Sequence, residues 1–172
     1  AKALGMFFKH NQIQRGDRIG ILADNVGEVI VFHFACAYIG AVIVNLNVRL
    51  VSAELEQIII DSSPKLVVAC YNYQQQIFDT LEKLLLHSTK SSKYIMLQKI
   101  LWIHEEHEQS TWRQQQQQEQ QRQRQFSAVF EQFQFVDAIK ELKSEDDKSV
   151  TGDSIASSED PMHLYYTSGT TG

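Results

Sequence analysis

Three short apolar runs, rich in β-branched residues, alternate with helix-like segments in the first part of the chain. The runs are Arg18–Leu22, Ala41–Leu46 and Lys65–Cys70. Val26–Ile39 lies between the first two, and a segment with an apolar stripe at helical spacing begins at Ser52, before the third. Parallel strands need a long crossover, usually a helix, so this alternation is typical of a parallel sheet. We therefore predict an α/β fold, with layers of parallel sheet and flanking helices.

Short polar side chains stand where two of these helices should begin. Asp24 or Asn25 is predicted to cap the helix over Val26–Ile39, because such a side chain can accept hydrogen bonds from the first N–H groups. Gly40 is predicted to end that helix. Ser52 is predicted to cap the helix that follows.

The second part of the chain is less regular. Gln74–His87 is predicted to form a helix, and Tyr94–Ile103 to contain one or two strands. The apolar residues of Phe126–Leu142 show a helical periodicity. Its aromatic residues are mostly at helical spacing and are predicted to pack in the core: Phe126, Phe130, Phe133 and Phe135. The acidic, Ser-rich stretch 144–160 indicates a linker, and Met162–Tyr166 indicates a last strand.

Residues 114–125 are almost entirely Gln. Such a tract has no apolar side chain to bury, so it indicates a disordered insertion or an exposed extension of a helix. Just before it, His104 and His107 stand among three glutamates. Their spacing matches neither common zinc-protease motif, and we interpret the segment as solvated charge rather than as a metal site.

The composition is that of an ordinary globular protein, with 43% hydrophobic residues and a net charge of −5. The negative charge argues against nucleic acid as a partner, because such binding normally shows as a basic patch. Cys36 and Cys70 lie in apolar runs and are interpreted as buried free thiols, and His33 as a core histidine. No apolar run reaches the roughly 18 residues of a transmembrane helix. No secretory signal is visible, which leaves the cytoplasm and an organelle open as locations.

The end of the chain carries the strongest chemical signal. A predicted strand runs directly into Thr167, Ser168, Gly169, Thr170, Thr171 and Gly172. Glycines leave backbone N–H groups unshielded and the hydroxyls add donors, so both suit phosphate oxygens. The Gly and Lys spacing of the P-loop is absent. On residue types alone, a flexible turn is the commoner interpretation of such a loop.

The longer string Tyr165–Gly172 is similar, almost letter for letter, to the phosphate-loop signature of the AMP-forming acyl-CoA synthetases. That superfamily also contains the luciferases and the adenylation domains of peptide synthetases. Arg15–Ile21 and Gly40–Leu50 resemble two earlier segments of the family, in the expected order. Asn45 stands where the family often has Pro. Residues 98–125 resemble nothing in the family and are predicted to be an insertion.

The resemblance implies that residues 1–172 are an incomplete N-terminal portion of the large adenylate-forming domain. It also implies a small carboxylic acid as substrate, interpreted as a fatty acid, with ATP, Mg²⁺ and coenzyme A. The acid attacks the α-phosphate of ATP, and the acyl group then passes from the adenylate to the thiol of coenzyme A. By resemblance, the loop from Thr167 to Gly172 wraps the β- and γ-phosphates. The family's catalytic and metal-binding residues follow Gly172, so the chain alone is expected to be inactive.

Two alternatives stay open. One is a non-catalytic relative or truncated product, in which the Gln-rich segment binds a partner. The other, among the enzymes, is a luciferase-like or peptide-synthetase adenylation domain. The chain begins at Ala1 rather than Met and stops inside the resembling motif, so we expect the protein to extend at both ends. The sequence predicts neither an oligomeric state nor a targeting signal.

Overall fold

A computed structural model describes residues 1–88, 96–103, 130–140 and 156–167. The strands are Arg18–Leu22 (β1), Val42–Asn45 (β2), Leu66–Cys70 (β3), Lys99–Ile103 (β4), Glu131–Gln134 (β5) and His163–Leu164 (β6). The helices are Lys2–His10 (α1), Gly27–Ile39 (α2), Ser52–Ser62 (α3), Gln74–Ser88 (α4) and Phe135–Lys140 (α5). The strands form one parallel sheet in the order β5-β4-β3-β1-β2-β6. The predicted α/β architecture, with helices flanking a parallel sheet, is confirmed.

The order of the strands determines the face on which each helix lies, because crossovers between parallel strands are almost always right-handed. The chain moves in one direction across the sheet from β1 to β2 and from β5 to β6. It moves in the other direction from β2 to β3 and from β3 to β4. Accordingly, α2 and α5 pack on one face together with α1, and α3 and α4 pack on the other.

Alternate residues of the inner strands enter two separate apolar cores. In β1, Ile19 and Ile21 face α1 and α2, whereas Leu22 faces α3 and α4. In β4, Leu101 lies in the first core and Trp102 in the second. Both faces of these strands are buried, which is why the sequence shows continuous apolar runs instead of an alternation.

Of the predicted helix boundaries, the end of α2 is confirmed. Gly40 follows α2 in the left-handed region, at φ +71°, a conformation that costs glycine little. The predicted caps are wrong. No side chain caps α2, because the Asp24 carboxylate bonds elsewhere. Ser52 is the first residue of α3, and the Glu54 carboxylate accepts a hydrogen bond from the N–H of Val51 at 3.0 Å.

The helical interpretation of Phe126–Leu142 is wrong in its middle. The segment contains the edge strand β5, which leads directly into the short helix α5. Phe130 and Phe135 are buried as predicted, and Phe133 packs against the core. The strand has the sequence Glu-Gln-Phe-Gln, so it lacks the apolar run that marks the inner strands. The helical spacing of the phenylalanines was a stronger pattern than the short strand, so it favoured a helix where the structure has β5.

The smaller predictions about the core are confirmed. Cys36 and Cys70 are buried and unbridged, and burial raises the pKa of the Cys36 thiol. His33 is half-buried, and its Nδ1 lies 2.6 Å from the carbonyl oxygen of Val29. The ring nitrogen is therefore satisfied inside its own helix, which is the ordinary role expected for it.

The insertion and the linker stay predictions. The first residues of the predicted insertion, 98–125, overlap β4. The rest of it, including the Gln-rich tract and the histidine-containing segment, lies outside the described residues. The linker, 144–160, is described only from residue 156 onward. In the parts of the chain that the structure describes, no helix is long and apolar enough to cross a bilayer.

Candidate functional site

A groove of about 580 Å³ opens at the carboxyl edge of the sheet, where β2 and β6 end and α3 runs past them. In open α/β sheets, ligands bind outside the carboxyl ends of the strands. Thr167, which ends the last described segment, lies in the wall of this groove and is exposed. The predicted phosphate-binding loop therefore begins at the edge of the sheet where ligands are expected.

Helix α3 supplies one wall through residues at helical spacing. Glu54, Gln57 and Asp61 recur at intervals of three and four, so they share a face of the helix. Asn45, at the end of β2, and Asn47 supply the wall on the strand side. Among the described residues that line the groove, none is Lys or Arg. The groove can form hydrogen bonds to a ligand, but these residues bring it no positive charge.

The side chain of Tyr166 crosses from the segment after β6 to α3. Its phenolic oxygen donates a hydrogen bond to Asp61 Oδ2 at 2.5 Å, and its ring packs against the core beneath α3 and α4. Partial burial and this hydrogen bond together raise the pKa of Tyr166 to about 12. The hydroxyl is therefore protonated near neutral pH, and it ties the beginning of the loop to α3.

Strand β6 is only two residues long, and a contact upstream of it also holds it in place. Within the described residues it pairs with β2 alone, at two register positions. Before it, Asp160 forms a salt bridge with Arg15 and accepts a hydrogen bond from the N–H of Ser157 at 2.8 Å. These two partners lower the pKa of the Asp160 carboxyl. The chain is thus anchored on both sides of β6, to Arg15 before the strand and to α3 after it.

On the opposite face of β6, three rings form a stack. The centroid of the His163 ring lies 5.3 Å from that of His33 in α2, to which it is tilted by 37°, and 5.3 Å from that of Tyr165, to which it is nearly parallel at 14°. Burial, and secondarily the charge of His33, lower the pKa of His163. Tyr165 and Tyr166 thus face opposite sides of the sheet, as successive residues of an extended chain do.

A second polar cluster lies at the carboxyl ends of the neighbouring strands β1 and β3. Here β1 connects to a strand on one side and β3 to a strand on the other, which makes this a topological switch point of the sheet. The Asp24 carboxylate accepts hydrogen bonds from Tyr73 Oη at 2.5 Å and from Asn72 Nδ2 at 2.9 Å. The hydrogen bond from Tyr73, followed by that from Asn72, lowers the pKa of Asp24. The cluster ties the ends of the two strands together, so Asp24 supports the sheet edge instead of capping α2.

The Asp24 cluster predicts a pH dependence of stability. A carboxyl whose pKa is depressed by folding stabilises the protein above the ordinary value of 3.8, and this stabilisation is lost as the pH falls through the lower folded value. Asp24→Asn should therefore lower the thermal midpoint at pH 6, and the difference from wild type should shrink below pH 4 or so. Tyr73→Phe, which removes the stronger donor, should behave similarly. Parallel curves from pH 6 to pH 3 would contradict this role of Asp24.

Of the six residues predicted to bind phosphate, the structure describes one. Thr167 is exposed in the groove wall, and Ser168, Gly169, Thr170, Thr171 and Gly172 lie outside the described residues, so their role stays a prediction. Sequence reasoning missed Asp61 and the groove wall on α3. The spacing of Glu54, Gln57 and Asp61 was the available signal, but a polar stripe on a helix is usually only its solvated face. In the described part of the chain, no cluster of three or more potential metal ligands occurs.

The fold and the groove together define a class of protein. It has an open parallel α/β sheet, a groove of mixed polar and apolar lining at the carboxyl edge, and a segment rich in Ser, Thr and Gly beginning in the wall of that groove. The chain belongs to the AMP-binding enzyme family, whose model matches residues 1–172. The resemblance stated from the sequence motifs is therefore confirmed.

Two curated proteins are similar to parts of the chain. The 2-succinylbenzoate–CoA ligase of Oceanobacillus iheyensis is 38% identical over 65 residues, which are 38% of this chain and 14% of that protein. The acyl-CoA ligase SID4 of Ajellomyces capsulatus is 42% identical over 55 residues, which are 32% of this chain and 9% of that protein. The aligned part of the chain thus spans a small fraction of the length of either relative.

Among solved structures, the anthranilate CoA ligase AuaEII in complex with anthranoyl-AMP is similar to almost the whole chain. The TM-score is 0.66 at 20% sequence identity, and the match covers 99% of this chain and 26% of that protein. At this level of identity, the similarity shows that the two share a fold.

Proposed function

We propose that this chain is part of an ATP-dependent carboxylate–CoA ligase, and that residues 167–172 hold the phosphates of ATP. One observation carries the proposal: β6 places the beginning of this loop at the carboxyl edge of the sheet, beside a groove whose wall includes carboxylate, amide and hydroxyl groups. Family membership and the CoA ligases among the relatives support it.

The proposed reaction has two steps. A carboxylate oxygen of the acid bonds to the α-phosphorus of ATP as the bond to pyrophosphate breaks, which gives an acyl-adenylate. The sulfur of coenzyme A then bonds to the acyl carbon, the thiol proton is lost, and AMP leaves. Mg²⁺ comes with ATP as part of the substrate and neutralises phosphate charge. The role proposed for this chain is to bind and orient the phosphates, because such a reaction depends on positioning and charge stabilisation.

We propose further that the acid is apolar, and a fatty acid in the first instance. The acyl-CoA ligase among the relatives supports an acyl substrate. The described groove residues do not decide this choice, because their lining mixes apolar side chains, Leu50 and Ile58, with polar ones.

The test is exchange of labelled pyrophosphate into ATP by the full-length protein. We expect exchange only when a carboxylic acid is present, with straight-chain fatty acids supporting it better than benzoate, and release of AMP on addition of coenzyme A. Ser168→Ala should raise the KM for ATP about tenfold, because it removes a hydroxyl donor to a charged oxygen. Ser158→Ala, which removes an exposed hydroxyl outside the loop, is the control. Exchange that does not need an acid, or none with any acid, would contradict the proposed function.

A further inference from the structure

We infer that Asp61 and Tyr166 are positioning residues for the phosphate-binding loop, because their hydrogen bond fixes the point from which the loop leaves the sheet. This inference rests on the proposed function of residues 167–172. It assigns to the end of α3 a part in ATP binding, although that helix lies about a hundred residues before the loop in sequence.

A two-residue edge strand that pairs at two positions with one neighbour holds its own end poorly. After β6, Tyr165 is 67% exposed and Thr167 is also exposed. Tyr166 is the half-buried residue between them, and its side chain bonds to α3. Within the described residues, this bond is the last anchor before the loop begins.

An aspartate is an unusual residue for position 61, at the end of α3. The last turn of a helix carries partial negative charge, so a carboxylate is disfavoured there and a basic residue is preferred. Asp61 lies in the last turn of α3, which contains no basic residue. Local helix stability does not explain an acid at this position. The short hydrogen bond that it accepts from Tyr166 does.

Packing alone does not explain a tyrosine at position 166. The ring alone would satisfy the apolar core beneath α3 and α4, and a phenylalanine could supply it. The hydroxyl adds the bond to Asp61 and an interaction with the side chain of Ser62, also on α3, at the cost of partial burial of a polar group. The helix dipole thus disfavours the carboxylate of Asp61, and partial burial disfavours the hydroxyl of Tyr166. Residues that are unfavourable in their local surroundings are typical of functional positions.

The test compares ATP with AMP, because AMP lacks the two phosphates that the loop is proposed to hold. Dissociation constants of both nucleotides, with Mg²⁺, are measured by calorimetry on the full-length protein. Tyr166→Phe and Asp61→Ala should each weaken ATP binding about tenfold, the value of one charge-assisted hydrogen bond, and change AMP binding less than twofold. The double variant should match either single variant, because both remove the same bond.

Two further variants separate positioning from simple loss of structure. Asp61→Asn keeps a neutral acceptor oxygen and should fall between wild type and Asp61→Ala in ATP affinity. Tyr165→Phe, a matched loss of a hydroxyl one residue away on the other face, should bind both nucleotides as wild type does. If the variants weaken ATP and AMP equally, or add their effects independently, or leave ATP affinity unchanged, the inference is wrong.

The same measurements keep this inference apart from the proposed function. A wild-type protein that binds ATP but shows no acid-dependent exchange would contradict the proposed ligase activity, while the difference between ATP and AMP would still decide the role of Asp61 and Tyr166. A wild-type protein that binds neither nucleotide would overturn both.

Discussion

The isolated chain, residues 1–172, is expected to show no carboxylate-dependent exchange of pyrophosphate into ATP, although it carries all of Tyr165–Gly172. The polyphosphate of ATP is strongly negative, and the transition state for attack at the α-phosphorus concentrates charge on its oxygens. The described wall of the groove contributes two carboxylates and no Lys or Arg. Backbone N–H groups and hydroxyls can orient the phosphates, but the proposed reaction also needs positive charge, which Mg²⁺ and residues outside the described groove wall would have to supply.

The comparison that tests this expectation uses the full-length protein and the isolated chain at equal concentration. Both receive ATP, Mg²⁺ and whichever of the tested acids, straight-chain fatty acids or benzoate, supports the fastest exchange by the full-length protein. Exchange by the isolated chain should not exceed that of a blank without acid, a loss of at least several orders of magnitude relative to the full-length protein. Circular dichroism of the isolated chain controls for folding, since an unfolded chain would be inactive for a trivial reason. Acid-dependent exchange by the isolated chain would show that residues 1–172 already hold a sufficient catalytic set.

Much of the sheet could be predicted from the sequence because burial on both faces leaves a strong local signal. β1, β2 and β3 are short apolar runs between helical segments, and their order already implies parallel pairing. β5 has no such run, since an edge strand with Gln at alternate positions needs less apolar surface. Helix caps were mispredicted for a related reason. Whether Asp24 caps α2 or bonds to Tyr73 is decided by a contact between distant residues.

In the candidate site, too, the residues of a contiguous motif could be predicted from the sequence, and those brought together by the fold could not. Thr167 could be placed because the motif that contains it is contiguous in sequence and follows a strand. Asp61 could not, because its partner Tyr166 is far away in the chain and becomes a neighbour only when β6 docks beside β2. Local patterns thus located the loop, and the tertiary fold was needed to find what holds it.

Truncation of Trp102 should produce the largest loss of stability of any single substitution considered. Trp102 is fully buried in β4, packs edge-on against Tyr71 and Phe78 with centroids 5.9 Å apart, and donates from Nε1 to Gln132 Oε1 at 2.9 Å. Trp102→Ala removes these contacts and leaves a cavity between β4 and α4, at a cost of about 3–5 kcal/mol. Trp102→Phe should cost less, because it keeps an aromatic ring in the core.

Hydrogen exchange read by mass spectrometry suits this test, because it reports local opening of the sheet whether or not the protein unfolds in one step. In the full-length Trp102→Ala variant, amides of β3 and β4 should exchange about a hundred to several thousand times faster than in wild type, as the loss of about 3–5 kcal/mol requires. Val136→Ala, at a residue 51% exposed on α5, should leave these rates nearly unchanged. Equal protection of β3 and β4 in wild type and Trp102→Ala would mean that the core between β4 and α4 does not limit opening of the sheet. The packing of Phe78 and Tyr71 would then have to protect the amides of β3 and β4 without the indole ring.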